Sequence, residues 1–267
     1  MKTQIQIYDD IKRLVGFLSK QLSFDKFKNK LGRKLALTIE EVISIALFKQ
    51  KNNISTKVAV YEMLKPNCSY KTMVVNMNRW YFLAVIILAL IMKINQVNQH
   101  PVKHIDSTDI PVCLFKNAND HKTMKGLASF GRSSKGTYYG LKLHLISDLK
   151  RKLLKIKFTS ATIDERDVVI EMSKELWGVL IGDAGYIRKK LQEEYHQEAR
   201  RIMLVQPRNN MKKFATKFEL MLYRTRMLIE LNFRSLKMFC GLITSLPRSI
   251  DGYLANYIYS LLAYQIV

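Results

Sequence analysis

The apolar residues of this chain change period once, and that change limits the folds open to it. From residue 1 to about 98 they recur at helical spacing, with almost no strand signal. The segment Asn95-Gln-Val-Asn-Gln-His-Pro101 is polar and ends in proline, and beyond it short β-like runs alternate with helical ones. The expected organisation is an all-helical region over 1–98, followed over 99–267 by a region of the α/β (mixed α+β) class.

Within the helical region, Thr38-Ile-Glu-Glu41 has the form of a capping box ahead of a helix over 39–49. A polar break at Lys51-Asn52-Asn53 precedes a second helix over 55–64, which stops before Pro66. Two helices joined by a short turn in a basic chain could be a DNA-binding helix-turn-helix. The turn lacks glycine and nothing marks a recognition helix, so an ordinary helical hairpin is the preferred alternative. The run from Trp80 to Met92 is strongly apolar but thirteen residues long. A membrane-spanning helix needs about 20, so the run predicts a buried core helix. The opening MKTQIQIYDDIKR has no apolar segment of the signal-peptide kind. Cys68, Cys113 and Cys240 are far apart and form no CxxC pair, which argues against a disulfide framework or a cysteine zinc site. A soluble, cytoplasmic chain with no membrane partner is expected.

After Pro101 the pattern predicts a strand over 104–113 and a loop over 116–136. Strands over 138–146 and 153–159 follow, joined by a turn at 148–152. Then come a helix over 167–177, a fully apolar strand at 179–181, a helix over 187–198 and a strand over 202–205. One long helix over 214–239 and a final helix over 250–266 complete the chain. The order β-β-β-α-β-α-β-α describes a mixed sheet flanked by helices.

Charge narrows the partner. Lys and Arg number 44 against 22 Asp and Glu, a formal net charge of +22. Such a field attracts polyanions, nucleic acid foremost, with an anionic membrane surface as the other possibility. The loop over 116–135 is itself basic, and gripping DNA is the preferred reading of it.

Phosphodiester cleavage with two divalent ions needs a few carboxylates that converge on ions about 3.5–4 Å apart. Three positions could supply them. Asp106 follows His104-Ile105 in the first strand of the second region, and Asp183 follows the apolar strand Val179-Leu-Ile181. Gly182, Ala184 and Gly185 would let a metal and DNA backbone come close to Asp183; an ordinary turn or cap is the competing reading. On the long helix, Tyr223, Arg226, Glu230 and Lys237 project within a stripe about 60° wide at about 100° per residue. That stripe could hold a metal-binding glutamate among phosphate-binding groups. It could equally be a solvated face on which Arg226 and Glu230 form an i,i+4 ion pair.

The order Tyr-x2-Arg-x3-Glu-x6-Lys, met by Tyr223, Arg226, Glu230 and Lys237, resembles the signature around the catalytic glutamate of DDE transposases of bacterial insertion sequences. Ile105-Asp106-Ser107-Thr108, Tyr139-Gly-Leu-Lys142-Leu-His144 and Ile181-Gly-Asp183-Ala-Gly-Tyr186 are similar to further segments of the same enzymes, in the same order. The spacing from Asp183 to Glu230 leaves no room for an extra domain, as in the compact members of the group. The resemblance implies a ribonuclease-H-like catalytic domain in which Asp106, Asp183 and Glu230 hold two Mg²⁺ or Mn²⁺ ions. It implies cleavage of double-stranded DNA at terminal inverted repeats, strand transfer into target DNA, and a homodimer on DNA at the nucleoid. Tyr223, Arg226 and Lys237 would contact phosphates, as would Lys142 and His144 on their strand. Asp109 competes for the role of first acid, and the N-terminal hundred residues carry no motif of their own. Asp164 and Asp167 read as acids at a helix start. A transposase-derived DNA-binding protein without catalysis, or a nuclease or resolvase of the same fold, are the alternatives.

Overall fold

Threonine and serine N-caps fix where the N-terminal helices begin. α1 (Gln4–Gln21) starts at Thr3 and α2 (Ile39–Lys51) at Thr38, each with a complete capping box. α3 (Lys57–Leu64) starts at Thr56 and α4 (Tyr70–Arg79) at Ser69, whose hydroxyls accept a first-turn backbone N–H. Each cap satisfies an amide the helix leaves without a partner. The computed structural model describes residues 3–27, 35–133, 136–197, 200–207, 211 and 215–266. By contact they form two units, residues 1–90 with 235–267, and residues 91–234.

α5 (Tyr81–Val97) contains the apolar run expected to be a core helix, and only one face of it is buried. Leu83, Ala84, Ile87 and Leu88 are inside, whereas Phe82, Val85 and Ile86 are more than a third exposed. A helix apolar all round still turns half its circumference away from neighbours on one side. Among the described residues no single helix is long and apolar enough to cross a membrane; α4 and α5 pass that test only as a pair, bent by 45°.

In the second unit, β1 (Val102–Pro111), β2 (Ser129–Ser133), β3 (Gly136–Asp148), β4 (Leu153–Ser160), β5 (Gly178–Gly182) and β6 (Arg201–Val205) form one six-stranded sheet. β3 is antiparallel to β1, β2 and β4, while β5 runs parallel to β1 and β6 parallel to β5. The turn expected at 148–152 is present. Asp148 Oδ1 accepts the Lys152 N–H at 2.9 Å, and Arg151 takes the left-handed conformation at φ 62°.

β2 corrects the loop expected over 116–136, of which Ser134 and Lys135 lie outside the described residues. Its sequence, Ser-Phe-Gly-Arg-Ser, carries little strand propensity, and its ladder with β3 creates it. At Gly131 a Cβ would stand 2.7 Å from that of Ala161 and 2.9 Å from the Tyr138 ring, so the strand fits only without a side chain.

β5 explains its own apolar run. Leu180 packs with Ile105, Met172, Tyr186 and Met203 on one face of the sheet, and Ile181 packs with Leu222 and Tyr223 on the other. A strand buried on both sides reads as continuous rather than alternating apolar sequence. α6 (Val169–Ser173) and α7 (Lys189–Gln197) carry residues of the first cluster. The helix expected over 167–177 is shorter than its periodicity suggests. A 3-10 turn (Glu165–Val168) precedes α6, and Glu175 follows it at φ 68°. Glu198, the expected end of the next helix, lies outside the described residues.

The long helix expected over 214–239 is two helices, α8 (Lys217–Arg224) and α9 (Met227–Phe239); Phe214 lies outside the described residues. At the break, the N–H groups of Thr225 and Arg226 bond the carbonyls three residues back, Leu222 at 3.0 Å and Tyr223 at 3.1 Å. The Thr225 hydroxyl donates to Leu222 O at 2.6 Å. This tightened turn interrupts the helix without a proline or glycine to announce it.

α10 (Ile250–Gln265) packs with the N-terminal helices. Gln50 Nε2 donates to Asn256 Oδ1 at 2.9 Å and to Ser260 Oγ at 2.8 Å, and the Tyr259 hydroxyl donates to Met77 O at 3.2 Å.

Candidate functional site

Strand register brings the first two acids together. β1 and β5 run parallel with His104 opposite Ile181. Asp106 and Asp183 each stand two residues further along, Asp106 within β1 and Asp183 just past the end of β5, on the same side of adjacent strands. Asp106 Oδ1 accepts the Ser107 N–H at 2.7 Å. Asp183 is the N-cap of a 3-10 turn (Ala184–Tyr186), its Oδ1 accepting the Gly185 N–H at 2.9 Å. The turn reading of Asp183 is therefore what the geometry shows. The small residues around it also have a local reason. A Cβ at Gly185 would come within 2.9 Å of Asp183 Oδ1, and one at Gly182 within 3.1 Å of the Tyr186 ring.

Glu230 arrives on α9, and a polar latch beside it sets the rotation of that helix. Asn232, fully buried, donates through Nδ2 to Ser147 Oγ at 2.9 Å and accepts from Arg151 Nε at 2.9 Å. Arg151 Nη2 also donates to Leu231 O at 3.1 Å. A helix docked on the β3–β4 hairpin through its polar groups has little rotational freedom.

Asp106, Asp183 and Glu230 line one cavity of about 980 Å³, together with Asp109, Glu165 and Lys142. Arg226, the first residue of the tightened turn's far side, joins two of the acids. Its Nη1 lies 3.2 Å from Asp106 Oδ2, and its Nη2 donates to Glu230 Oε1. The i,i+4 ion pair is thus present; its arginine also reaches Asp106, while the Glu230 side chain lines the cavity and remains 56% exposed. Burial pushes the Asp106 carboxyl up to about 7. The like charges of Asp183 and Glu165 act in the same direction, against the Ser107 N–H and the Arg226 guanidinium.

This electrostatic state bears on a metal. Three carboxylates offer only oxygen donors, which suits a hard divalent cation. The Asp106 carboxyl is raised mainly by burial, with the neighbouring carboxylates of Asp183 and Glu165 acting in the same direction. The arrangement is not closed round an ion: among the described residues no three His, Cys, Asp or Glu side chains are grouped closely enough to hold one. Arg226 supplies the cation between Asp106 and Glu230 instead.

Of the expected phosphate-binding residues, Lys142 lines the cavity, its Nζ donating to Ile163 O at 3.0 Å and lying 3.5 Å from Glu165. Tyr223 is buried, and its hydroxyl donates to Val205 O at 3.2 Å. The break between α8 and α9 takes it out of the stripe drawn for an unbroken helix. His144 is fully buried, with Nε2 2.8 Å from Thr159 Oγ1. Lys237 lies on α9 past Arg234, in the first unit. Asp164 caps the turn before α6 and binds Arg166 and Arg188, as an acid at a helix start would.

Three features of the site escaped sequence reasoning. Glu165 adds a fourth carboxylate to the group acting on Asp106, and only its place beside Asp164 hinted at a role. The Asn232 latch carried no signal beyond a polar residue within an apolar helix. His104 Nε2 sits 2.8 Å from Thr225 Oγ1 and so ties β1 to the helix break, a pairing that no local pattern contains.

Residues 96–250, more than half of the chain, match the family model described as a transposase DDE domain. No curated protein sequence matches the chain. The cryo-EM structure of the piggyBac transposase synaptic complex with hairpin DNA aligns at TM-score 0.50 and 10% identity, over 99% of this chain and 73% of that one. The crystal structure of the Mos1 mariner paired-end complex with Mn aligns at 0.28 and 10% identity, over 97% of this chain and 90% of that one. The Mos1 transposase paired-end complex with the left transposon end aligns at 0.28 and 9%, over 96% and 95%. Likeness at these identities concerns fold alone, and only the piggyBac alignment reaches a TM-score of 0.50 among the three. The sheet with helices on both faces is a ribonuclease-H-like fold.

Proposed function

The chain belongs to the family of transposases with a DDE domain, and we propose that it mobilises a bacterial insertion sequence. In this reading it cuts double-stranded DNA at the terminal inverted repeats and joins the freed 3′ ends to target DNA, with Asp106, Asp183 and Glu230 as its acidic triad. The supporting observation is that three acids far apart in the sequence, one within β1, one just past the end of β5 and one on α9, line a single cavity.

The three carboxylates would hold two Mg²⁺ or Mn²⁺ ions, which when bound supply an activated nucleophile and stabilise the leaving oxygen. The chain's own residues do the rest. The Asn232 latch fixes the direction of Glu230, the Ser107 N–H and the Gly185 N–H orient the two aspartates, and Lys142 presents a cation to the DNA backbone at the cavity wall. Arg226 would exchange its carboxylate partners for a DNA phosphate once other cations neutralise the acids. Tyr223 and His144, buried as they are, would act by packing, and Lys237 as a phosphate contact outside the cavity. The helical region over 1–98 would recognise the DNA ends, and two copies of the chain would pair them at the nucleoid.

The Arg226 bridge favours one second reading, a chain of the same fold that binds DNA without cutting it. Cleavage of an end-bearing duplex in Mg²⁺ or Mn²⁺ separates the two. Asp183→Asn and Glu230→Gln should abolish nicking while duplex binding and melting temperature persist. Variants that nick as well as the parent would remove these residues from the site, and a parent that binds but never nicks would establish the second reading.

A further inference from the structure

The first unit withdraws two lysines from much of the solvent, Lys49 fully and Lys57 partly, and among the described residues neither has a counter-charge beside it. Lys49, on α2, is 8% exposed, and its Nζ donates to Gln50 Oε1 at 3.0 Å. Lys57, the first residue of α3, donates to Asn78 Oδ1 at 2.8 Å. Both acceptors are neutral amides, and among the described residues neither lysine has a carboxylate within ion-pair distance. Burial pulls each ammonium down to about 8, and the charge of Lys57 lowers Lys49 further. Withdrawing an ammonium from water without an opposite charge is costly, and placing two together is costlier. Folding alone gives no reason for the pair.

Both lysines line a cavity of about 430 Å³ whose wall, among the described residues, has no acidic side chain. Arg248, Ser55, Thr56 and Ser249 line it too. Thr56 and Ser249 are the N-caps of α3 and α10, so two helix N-termini open on the same space. Each cap oxygen takes one N–H, from Ala59 and from Gly252, which leaves other first-turn donors to a ligand. Helix N-termini and unpaired ammonium groups have one preference in common, an anion rich in oxygen acceptors.

We propose that this cavity is a phosphate-binding site, in which Lys49, Lys57 and Arg248 supply charge and the N-termini of α3 and α10 supply N–H donors. The bound group is a phosphodiester of a nucleic-acid backbone or the phosphate of a small molecule. The site is separate from the acidic cavity and does not depend on DNA cleavage by the chain.

The test is thermal unfolding of the full chain in inorganic phosphate against chloride at matched ionic strength, at concentrations too low for general salting-out. Phosphate should raise the melting temperature saturably, as a ligand of the native state does. Lys57→Gln and Arg248→Gln should each lose that rise. Lys57→Gln should also melt above the parent in chloride, because it removes a partly buried like charge beside Lys49. Arg248 is exposed, so its substitution leaves the fold intact should Lys57→Gln fail to fold. A second arm measures binding of a duplex of arbitrary sequence. Binding weakened by roughly tenfold in Arg248→Gln, the worth of one phosphate contact, and competed by phosphate, identifies a backbone phosphodiester. Unchanged duplex binding with the thermal rise retained in the parent identifies a small-molecule phosphate. Equal melting temperatures of the parent in phosphate and chloride overturn the site, as does a phosphate rise that survives both substitutions.

Discussion

Arg226 Nη1 lies 3.2 Å from Asp106 Oδ2, while the other terminal nitrogen of the same guanidinium holds Glu230. One cation thus stands between the first and third acids of the proposed triad, and its removal is the sharpest perturbation available. Arg226→Gln should move the Asp106 carboxyl upward, since the guanidinium, after the Ser107 N–H, is one of the two groups that oppose its rise. A carboxyl ¹³C titration reads this directly. End cleavage should fall by about 10²–10³, the usual effect of deleting one charge-stabilising donor. An Asp106 carboxyl that titrates lower in the variant would contradict the assignment of that charge.

Asn232 is the clearest structural residue near the site. Asn232→Leu leaves Ser147, fully buried, and the Arg151 guanidinium without their shared partner. The expected loss is about 1–3 kcal/mol of stability, the cost of unsatisfied buried polar groups. Urea unfolding measures it, and a loss below about 0.5 kcal/mol, the size of an ordinary surface change, would mean that the latch does not hold α9.

The two buried histidines make a pH prediction. Burial holds His104 and His144 down to about 4, assisted by Arg226 and His100 for the first and by Lys142 and Lys157 for the second. Below its unfolded pKa of about 6.5, each binds a proton more readily in the unfolded chain. Their contribution is therefore present above pH 6.5 and lost as pH falls to about 4, on the order of 3 kcal/mol each. Asp106 works the other way, gaining stability as pH falls from about 7. The difference between parent and His144→Gln isolates one histidine. The variant should lose less stability between pH 6.5 and 4, and parallel curves would show that His144 does not titrate in this range.

Tyr186 carries a hydroxyl that is buried without a hydrogen-bond partner among the described residues, and burial pushes it well above its ordinary pKa. The charges of Glu165, Asp106 and Asp183 act on it in the same direction. Tyr186→Phe should leave stability equal or slightly higher, since an unpaired polar group is removed. A drop of 2 °C or more, roughly 0.5 kcal/mol for a chain of this size, would reveal a partner for the hydroxyl. Lost cleavage at unchanged stability would place the hydroxyl in the work of the neighbouring acids.

The sequence by itself determined the local features of this protein. The capping box at Thr38 and Glu41, the turn at 148–152, the apolar strand that ends at Asp183 and the ion pair between Arg226 and Glu230 all depend on residues within a few positions of one another. Periodicity, capping and turn chemistry act at that range. Tertiary structure decided what depends on distant partners. β2 exists because β3 offers it a ladder, and α5 shows a face to solvent because its neighbours lie on one side. The helix expected over 214–239 breaks at Thr225, where the hydroxyl meets His104, and α10 joins helices some two hundred positions earlier through Gln50. The union of Asp106 and Glu230 through one guanidinium belongs with these. Pairing across such separations costs no local signal, because the residues that make it satisfy their own helix or strand equally well without it.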